Sequence, residues 1–184
     1  MIQKNLKSIF NEIDFVVSKV DQTECDILID KIVSAKRIVW VGAGKVGMTL
    51  RAFIMRLGHF WKQAWFMGDS TVPGIGEWDL LLVASWSWET QTIYDLVEIA
   101  KKNWCDIALI TWNPESRMWR LAGSIVKITA PSKTKAIDWF QSIQPMTTLN
   151  EQCLRLFFDA LVLDLMEKMN ETHDTMWARH SNLE

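Results

Sequence analysis

Leu6, Ile9, Phe10, Ile13 and Val17 recur at three- and four-residue spacings and predict a first helix. Asp21, Gln22 and Thr23 then offer caps for a second helix, with Ile27, Leu28, Ile32 and Val33 along one side. Past residue 36 the pattern changes to short apolar runs alternating with amphipathic ones. Strands are predicted over 37–41, 63–67, 80–84, 107–111 and 124–128. Between them lie a helix carrying Phe53, Ile54 and Leu57, and a helix over 90–102 with Ile93, Leu96, Val97 and Ala100 on one side. A further helix starts at Asn113-Pro114, with Asn as cap and Pro in the first turn. Leu80-Leu81-Leu82-Val83-Ala84 is apolar at every position, as expected of a strand buried on both faces. Regular alternation of strand and helix implies an α/β fold, a three-layer sandwich with a parallel sheet between helices.

A polar connection over 129–145 contains Pro131 and Pro145. It leads to a long helix over about 149–168, apolar nearly all round at Leu154, Phe157, Phe158, Leu161, Val162, Leu165 and Met166. Such a helix is expected in a core or a subunit interface. The tail, 170–184, is polar and holds two of the three histidines. With no internal repeat, the chain reads as one domain over 1–184: N-terminal helices at 1–35, an α/β core at 36–130, the long helix at 146–169 and the tail at 170–184.

Lys plus Arg is 20 and Asp plus Glu is 22 among 184 residues. That balance argues against a nucleic-acid partner. No apolar run approaches the ~20 residues that cross a bilayer, and the start does not resemble a secretory signal, so no membrane partner is expected. Three cysteines, Cys25, Cys105 and Cys153, are far apart and show no zinc spacing. A soluble, cytoplasmic protein is the expectation. One count is abnormal: 11 Trp against 8 Gly, where average usage gives about 13 Gly.

Gly42-x-Gly44-x-x-Gly47 lies between a strand and a helix. It fits a dinucleotide fingerprint, but the acidic residue about 20 positions on is missing, because Asp69 lies too far along. A plain strand-to-helix turn fits as well. Either way, glycines let a ligand approach backbone, and the helix start favours an anion. Ser85-Trp86-Ser87-Trp88-Glu89-Thr90 follows the apolar strand and opens a helix. Three hydroxyls there form a phosphate cradle, whereas capping by Ser87 needs only one. Glu151 fits a capping box over 148–151, and spacing alone favours that over a general base. His180, in a polar tail, carries no sign of chemistry from composition.

These segments resemble the sugar isomerase (SIS) domain family. Its phosphate loop reads Ser-Gly-Ser-Gly-Glu-Thr, matched by Ser85, Ser87, Glu89 and Thr90, and its first loop reads Gly-x-Gly-Arg-Ser-Gly, matched at Gly42, Gly44 and Gly47. The run Ala52-Phe53-Ile54-Met55-Arg56-Leu57 and Asn113-Pro114-Glu115-Ser116 match too. Ile143-Gln144-Pro145-Met146, Glu151-Gln152 and the ending from Arg179 to Glu184 are similar to the 6-phospho-3-hexuloisomerase branch. The resemblance implies a five-stranded parallel sheet and a tetramer. It also implies interconversion of 3-hexulose 6-phosphate and fructose 6-phosphate through an enediol, with no metal or organic cofactor. Gly44, Lys45, Ser85, Ser87, Glu89 and Thr90 would bind the phosphate. Glu151 would move the proton, and His180 would assist from a neighbouring subunit. Two alternatives are a non-catalytic sugar-phosphate-binding module and a pentose- or heptose-phosphate isomerase of the same fold.

Lys45 and Val46 stand where the family has Arg and Ser. Trp61, Trp78, Trp86, Trp88 and Trp119 stand where it commonly has glycine, and Trp104 is a sixth candidate. Positive φ and overpacking are the expected costs of Trp at such sites. One reading is that the indoles turn outward. The other is misassigned translation: UGA is read as glycine in some bacteria and as Trp under another code.

Overall fold

A computed structural model describes residues 1–85, 90–111, 116–131 and 140–183. Two helices come first, α1 (Ile2–Val17) and α2 (Gln22–Ser34). Asp21 caps α2, accepting from the Glu24 amide at 3.1 Å. The buried side of α2 is Cys25, Leu28, Ile29 and Ile32, while Ile27 is exposed. On α1, Ile13 and Val16 are buried and Phe10 faces out. The expected stripes hold at Ile9, Ile13, Val17, Leu28, Ile32 and Val33, which are buried or packed against the core, whereas Leu6, Phe10 and Ile27 face out.

Five parallel strands follow: β1 (Arg37–Val41), β2 (Gln63–Phe66), β3 (Leu80–Ala84), β4 (Asp106–Thr111) and β5 (Ser124–Lys127). Their order is β2-β1-β3-β4-β5. Helix α3 (Gly44–His59) follows β1 and α4 (Gln91–Lys102) follows β3, while α5 (Thr148–Lys168) and the short α6 (His173–Trp177) close the chain. A 3-10 turn at Arg117–Arg120 lies where the Asn113-Pro114 helix was expected; residues 112–115 are outside the described ones.

Side chains alternate across the sheet. Ile38, Trp40, Leu80, Leu82, Ala108 and Ile110 pack under α1, α2, α3 and α5. Val39, Val41, Leu81, Val83, Ile107 and Leu109 pack under α4 and Met118. Trp40 is fully buried, edge-on to Phe53 and Phe158 with centroids 5.1 and 5.6 Å away. Both faces of β3 are covered, as its unbroken apolar run requires.

Helix α5 differs from expectation. It buries Leu149, Cys153, Leu154, Phe157, Phe158, Leu161 and Leu165, yet Arg155, Asp159, Asp164, Glu167 and Lys168 face out beside Leu156 and Leu163. It is therefore two-sided rather than apolar all round. No helix among the described residues is long and apolar enough to cross a membrane.

Candidate functional site

The strand order reverses direction between β1 and β3, whose following helices lie on opposite faces of the sheet. Ligands of open α/β sheets bind at the carboxyl ends of strands at such a switch point. The turn from β1 into α3 lies at this edge, and Ser85 follows β3 beside it, with Thr90 at the start of α4. At a helix N-terminus, unpaired amides and the helix dipole favour an anion.

Gly44 has φ +60 and open space where a Cβ would stand, so backbone conformation alone requires glycine there. At Gly47 the reason is packing, because a Cβ would lie 2.9 Å from the Gly42 carbonyl and 3.1 Å from the Phe66 ring. The dinucleotide reading finds no support, since Asp69 pairs with Arg51 at 2.9 Å and accepts from the Phe66 amide at 3.0 Å. Val46, in the first turn of α3, is buried, and its side chain packs into the core.

Ser85 ends β3, and its amide donates to the Ile110 carbonyl at 3.3 Å. Its hydroxyl is buried without a hydrogen-bond partner among the described residues. A buried polar group in that condition is unusual and is expected to meet a ligand or water. Thr90 is the N-cap of α4, without a side-chain cap hydrogen bond. It occupies the capping position considered for Ser87. Ser87 and Glu89, with Trp86 and Trp88, lie outside the described residues.

The helix start at α5 corrects the expected capping box. The N-cap is Thr147, one residue before the first helical residue. The Thr148 hydroxyl turns back to the Pro145 carbonyl at 2.8 Å, so it cannot serve Glu151. Glu151 instead accepts from the Thr147 hydroxyl at 2.8 Å through Oε1. Its Oε2 lies 3.3 Å from Nζ of Lys45, in the first turn of α3. The Glu151 side chain is 15% exposed and that of Lys45 67%. The structure thus brings Gly44, Lys45 and Glu151 together at the edge where Ser85 and Thr90 stand.

Sequence reasoning missed Thr147 and Glu12. Buried Glu12 of α1 accepts from the Ser142 hydroxyl at 2.8 Å, the Ile143 amide at 2.7 Å and the Gln144 side chain at 3.0 Å. It pins the chain leading into Pro145, Met146 and Thr147. The available signal was an acid interrupting the apolar stripe between Ile9 and Ile13.

His180 is not brought to Glu151 of its own chain. It stacks on Trp177 at 5.1 Å and lies 5.5 Å from His59, beside a cavity of about 420 Å³ bordered by Asp159 and Met166. Asp159 is two helical turns beyond Glu151, roughly 12 Å along α5. Arg179 anchors this tail, pairing with Glu171 at 2.9 Å and donating to the His59 carbonyl at 2.5 Å. Among the described residues no group of three or more His, Cys, Asp or Glu is placed to hold a metal ion.

No protein-family profile matches the chain. The 3-hexulose-6-phosphate isomerase of Bacillus subtilis (strain 168) is 36% identical over 176 residues, covering 96% of this chain and 95% of that protein. The 3-hexulose-6-phosphate isomerase of Mycobacterium gastri is 37% identical over 183 residues, covering 100% and 92%. A crystal structure from Methanococcus jannaschii, described as inferring a molecular function of 3-hexulose-6-phosphate isomerase, matches with a TM-score of 0.83 at 26% identity. That match covers 98% of this chain and 99% of the other.

Proposed function

The chain belongs to the 3-hexulose-6-phosphate isomerase family, and on that premise we propose that it interconverts 3-hexulose 6-phosphate and fructose 6-phosphate. The observation that carries this reading is the Glu151 carboxylate, mostly buried and 3.3 Å from Lys45 at the carboxyl edge of β1 and β3. A base at a sheet edge rich in anion-binding features is what a 2,3-enediol mechanism needs.

In this reading Glu151 removes the C2 hydrogen as a proton. The electron pair left behind forms the C2–C3 double bond, and the C3 carbonyl oxygen becomes an enediol oxygen. The protonated Glu151 then delivers its proton to C3 while the C2 hydroxyl loses its proton and becomes the new carbonyl. Thr147 holds the carboxylate in place through one oxygen, leaving the other toward Lys45. Gly44, Lys45, Ser85, Ser87, Glu89 and Thr90 form the phosphate subsite, with the ammonium and the helix N-termini supplying positive potential.

The same reading makes the enzyme a homo-oligomer, a tetramer, with His180 of one copy serving the site of another. It moves the proton between the two substrate oxygens or assists ring opening. Support comes from the position of His180, which shares a cavity with Asp159 two turns of α5 beyond Glu151, and from exposed apolar residues spaced by seven on two helices: Met48 and Met55, Leu156 and Leu163. A charged sugar phosphate as substrate supports a cytoplasmic location.

The test is an assay starting from 3-hexulose 6-phosphate, coupled to detection of fructose 6-phosphate. It is run on the chain and on its W86G/W88G variant, because Trp86 and Trp88 alternate with Ser85, Ser87 and Glu89-Thr90 in the sequence, where the SIS pattern has glycine. Formation of fructose 6-phosphate by either is expected; none from both contradicts the reading.

A further inference from the structure

Five non-glycine residues have positive φ among the described ones: Trp61 (60°), Trp78 (71°), Trp104 (62°), Met146 (59°) and Asn170 (53°). Three of them are tryptophan, the bulkiest side chain in the least favourable backbone region.

The local geometry says why φ is positive. At the end of α3, the Lys62 amide donates to the Leu57 carbonyl at 3.0 Å and the Trp61 amide to Gly58 at 3.1 Å. At the end of α4, the Cys105 amide donates to Ala100 and the Trp104 amide to Lys101, both at 3.1 Å. These paired six-to-one and five-to-two bonds are Schellman motifs, and each Trp occupies the left-handed C′ position usually held by glycine. The end of α5 repeats the motif: Glu171 donates to Met166 at 2.9 Å and Asn170 to Glu167 at 3.2 Å. There the C′ residue is Asn, the other residue the motif tolerates. Trp78 is the third residue of a turn closed by the Asp79 amide on the Gly76 carbonyl at 3.1 Å. Its φ is that of a type II turn, which favours glycine at this position.

Function does not account for the strain. Trp61, Trp78 and Trp104 immediately precede β2, β3 and β4, on the amino-terminal edge of the sheet, opposite the candidate site. Met146, by contrast, lies beside Thr147 and Glu151, where strain accompanies function in many proteins. Nor does packing account for it. The three indole residues are 75%, 75% and 84% exposed. They cause none of the overpacking expected of them, and add little buried surface to offset the backbone cost. Trp119 differs, since it lies in the 3-10 turn and is not among the positive-φ residues.

We propose that positions 61, 78 and 104 are glycine positions, and that the native polypeptide carries glycine there because the codons behind these tryptophans are decoded as glycine in the source cell. One cause then explains both the Trp excess and the Gly deficit. The inference rests on backbone stereochemistry and is independent of the isomerase reading.

Two measurements test it. Intact mass and peptide mapping of the protein from its source cells are expected to show glycine at 61, 78 and 104; tryptophan at these positions overturns the proposal. The map also reads positions 86 and 88. Separately, W78G and W104G in the chain as written are each expected to lower the unfolding equilibrium constant roughly 5–30-fold. W61G gains less, because its ring lies 5.3 Å from the Arg179 guanidinium. W40G is the control of opposite sign, since that indole fills the core. If W78G and W104G bring no gain in stability, the proposal fails as well.

Discussion

Lys45 Nζ and Glu151 Oε2 lie 3.3 Å apart, although 106 positions separate them in the chain. The first turn of α3 supplies the cation and the first turn of α5 the carboxylate. Lys45 is mostly exposed, so the pair contributes about 0.2–1 kcal/mol to stability at most. In the proposed reaction the pair places a charged donor beside the base. Lys45→Met is expected to raise KM for the sugar phosphate roughly 10–100-fold, from the loss of one charged hydrogen bond worth about 1.5–3 kcal/mol. Lys45→Arg is expected to restore most of it. Steady-state kinetics of both variants check this; an unchanged KM in Lys45→Met removes Lys45 from the phosphate subsite.

Ser85→Ala separates binding from stability. The hydroxyl is buried without a partner among the described residues, so removing it relieves an unpaid polar group in the free enzyme. Thermal stability is expected to stay equal or rise, while affinity for fructose 6-phosphate falls. Calorimetry on both states reads the two effects. A loss of stability with unchanged affinity assigns Ser85 to the fold.

Sharing of His180 between copies has a direct signature. Glu151→Gln and His180→Asn homomers are each expected to be deficient. Mixed after dissociation and reassembly, they generate sites with one intact base and one intact histidine, and a fraction of the activity returns. Absence of recovery in a verified mixed oligomer, or a monomer by light scattering, contradicts sharing.

The thiols behave as buried groups. Burial pushes Cys25 up to about 11, and Cys105 and Cys153 up to about 12, from the usual 9.0. Raised folded values mean that these groups support the fold below the unfolded thiol range. That support is lost as pH climbs from there toward 11 and 12. At pH 8 a thiol reagent is expected to leave the native enzyme unmodified and to label three cysteines after denaturation. Rapid labelling of the native enzyme runs against this burial.

Much of the fold was legible from periodicity. Each predicted strand exists, shifted by at most one residue at an end, because alternation and unbroken apolar runs report directly on burial. The turn after β1 was legible because its glycines follow the strand at fixed offsets, and the structure requires glycine at both Gly44 and Gly47; residues 86–89 after β3 lie outside the described ones. Helix α6 was not, although Thr172 and Thr175 form a capping box there, because five residues leave no periodicity to detect. Thr147 escaped notice because Thr148 offered an equally good cap, and only the turn of its hydroxyl onto Pro145 decides between them. Glu12 and His180 act across more than a hundred residues of sequence, a distance over which local pattern carries no information.

In the proposed reaction Glu151 moves a proton between C2 and C3, and fructose 6-phosphate incubated with the enzyme in D2O, followed by proton NMR, reads that transfer. The enzyme is expected to introduce deuterium at C3 and to form 3-hexulose 6-phosphate, and Glu151→Gln to slow both by roughly 100–10,000-fold. Deuterium at C1 instead, or C3 exchange at the wild-type rate in Glu151→Gln, contradicts the account.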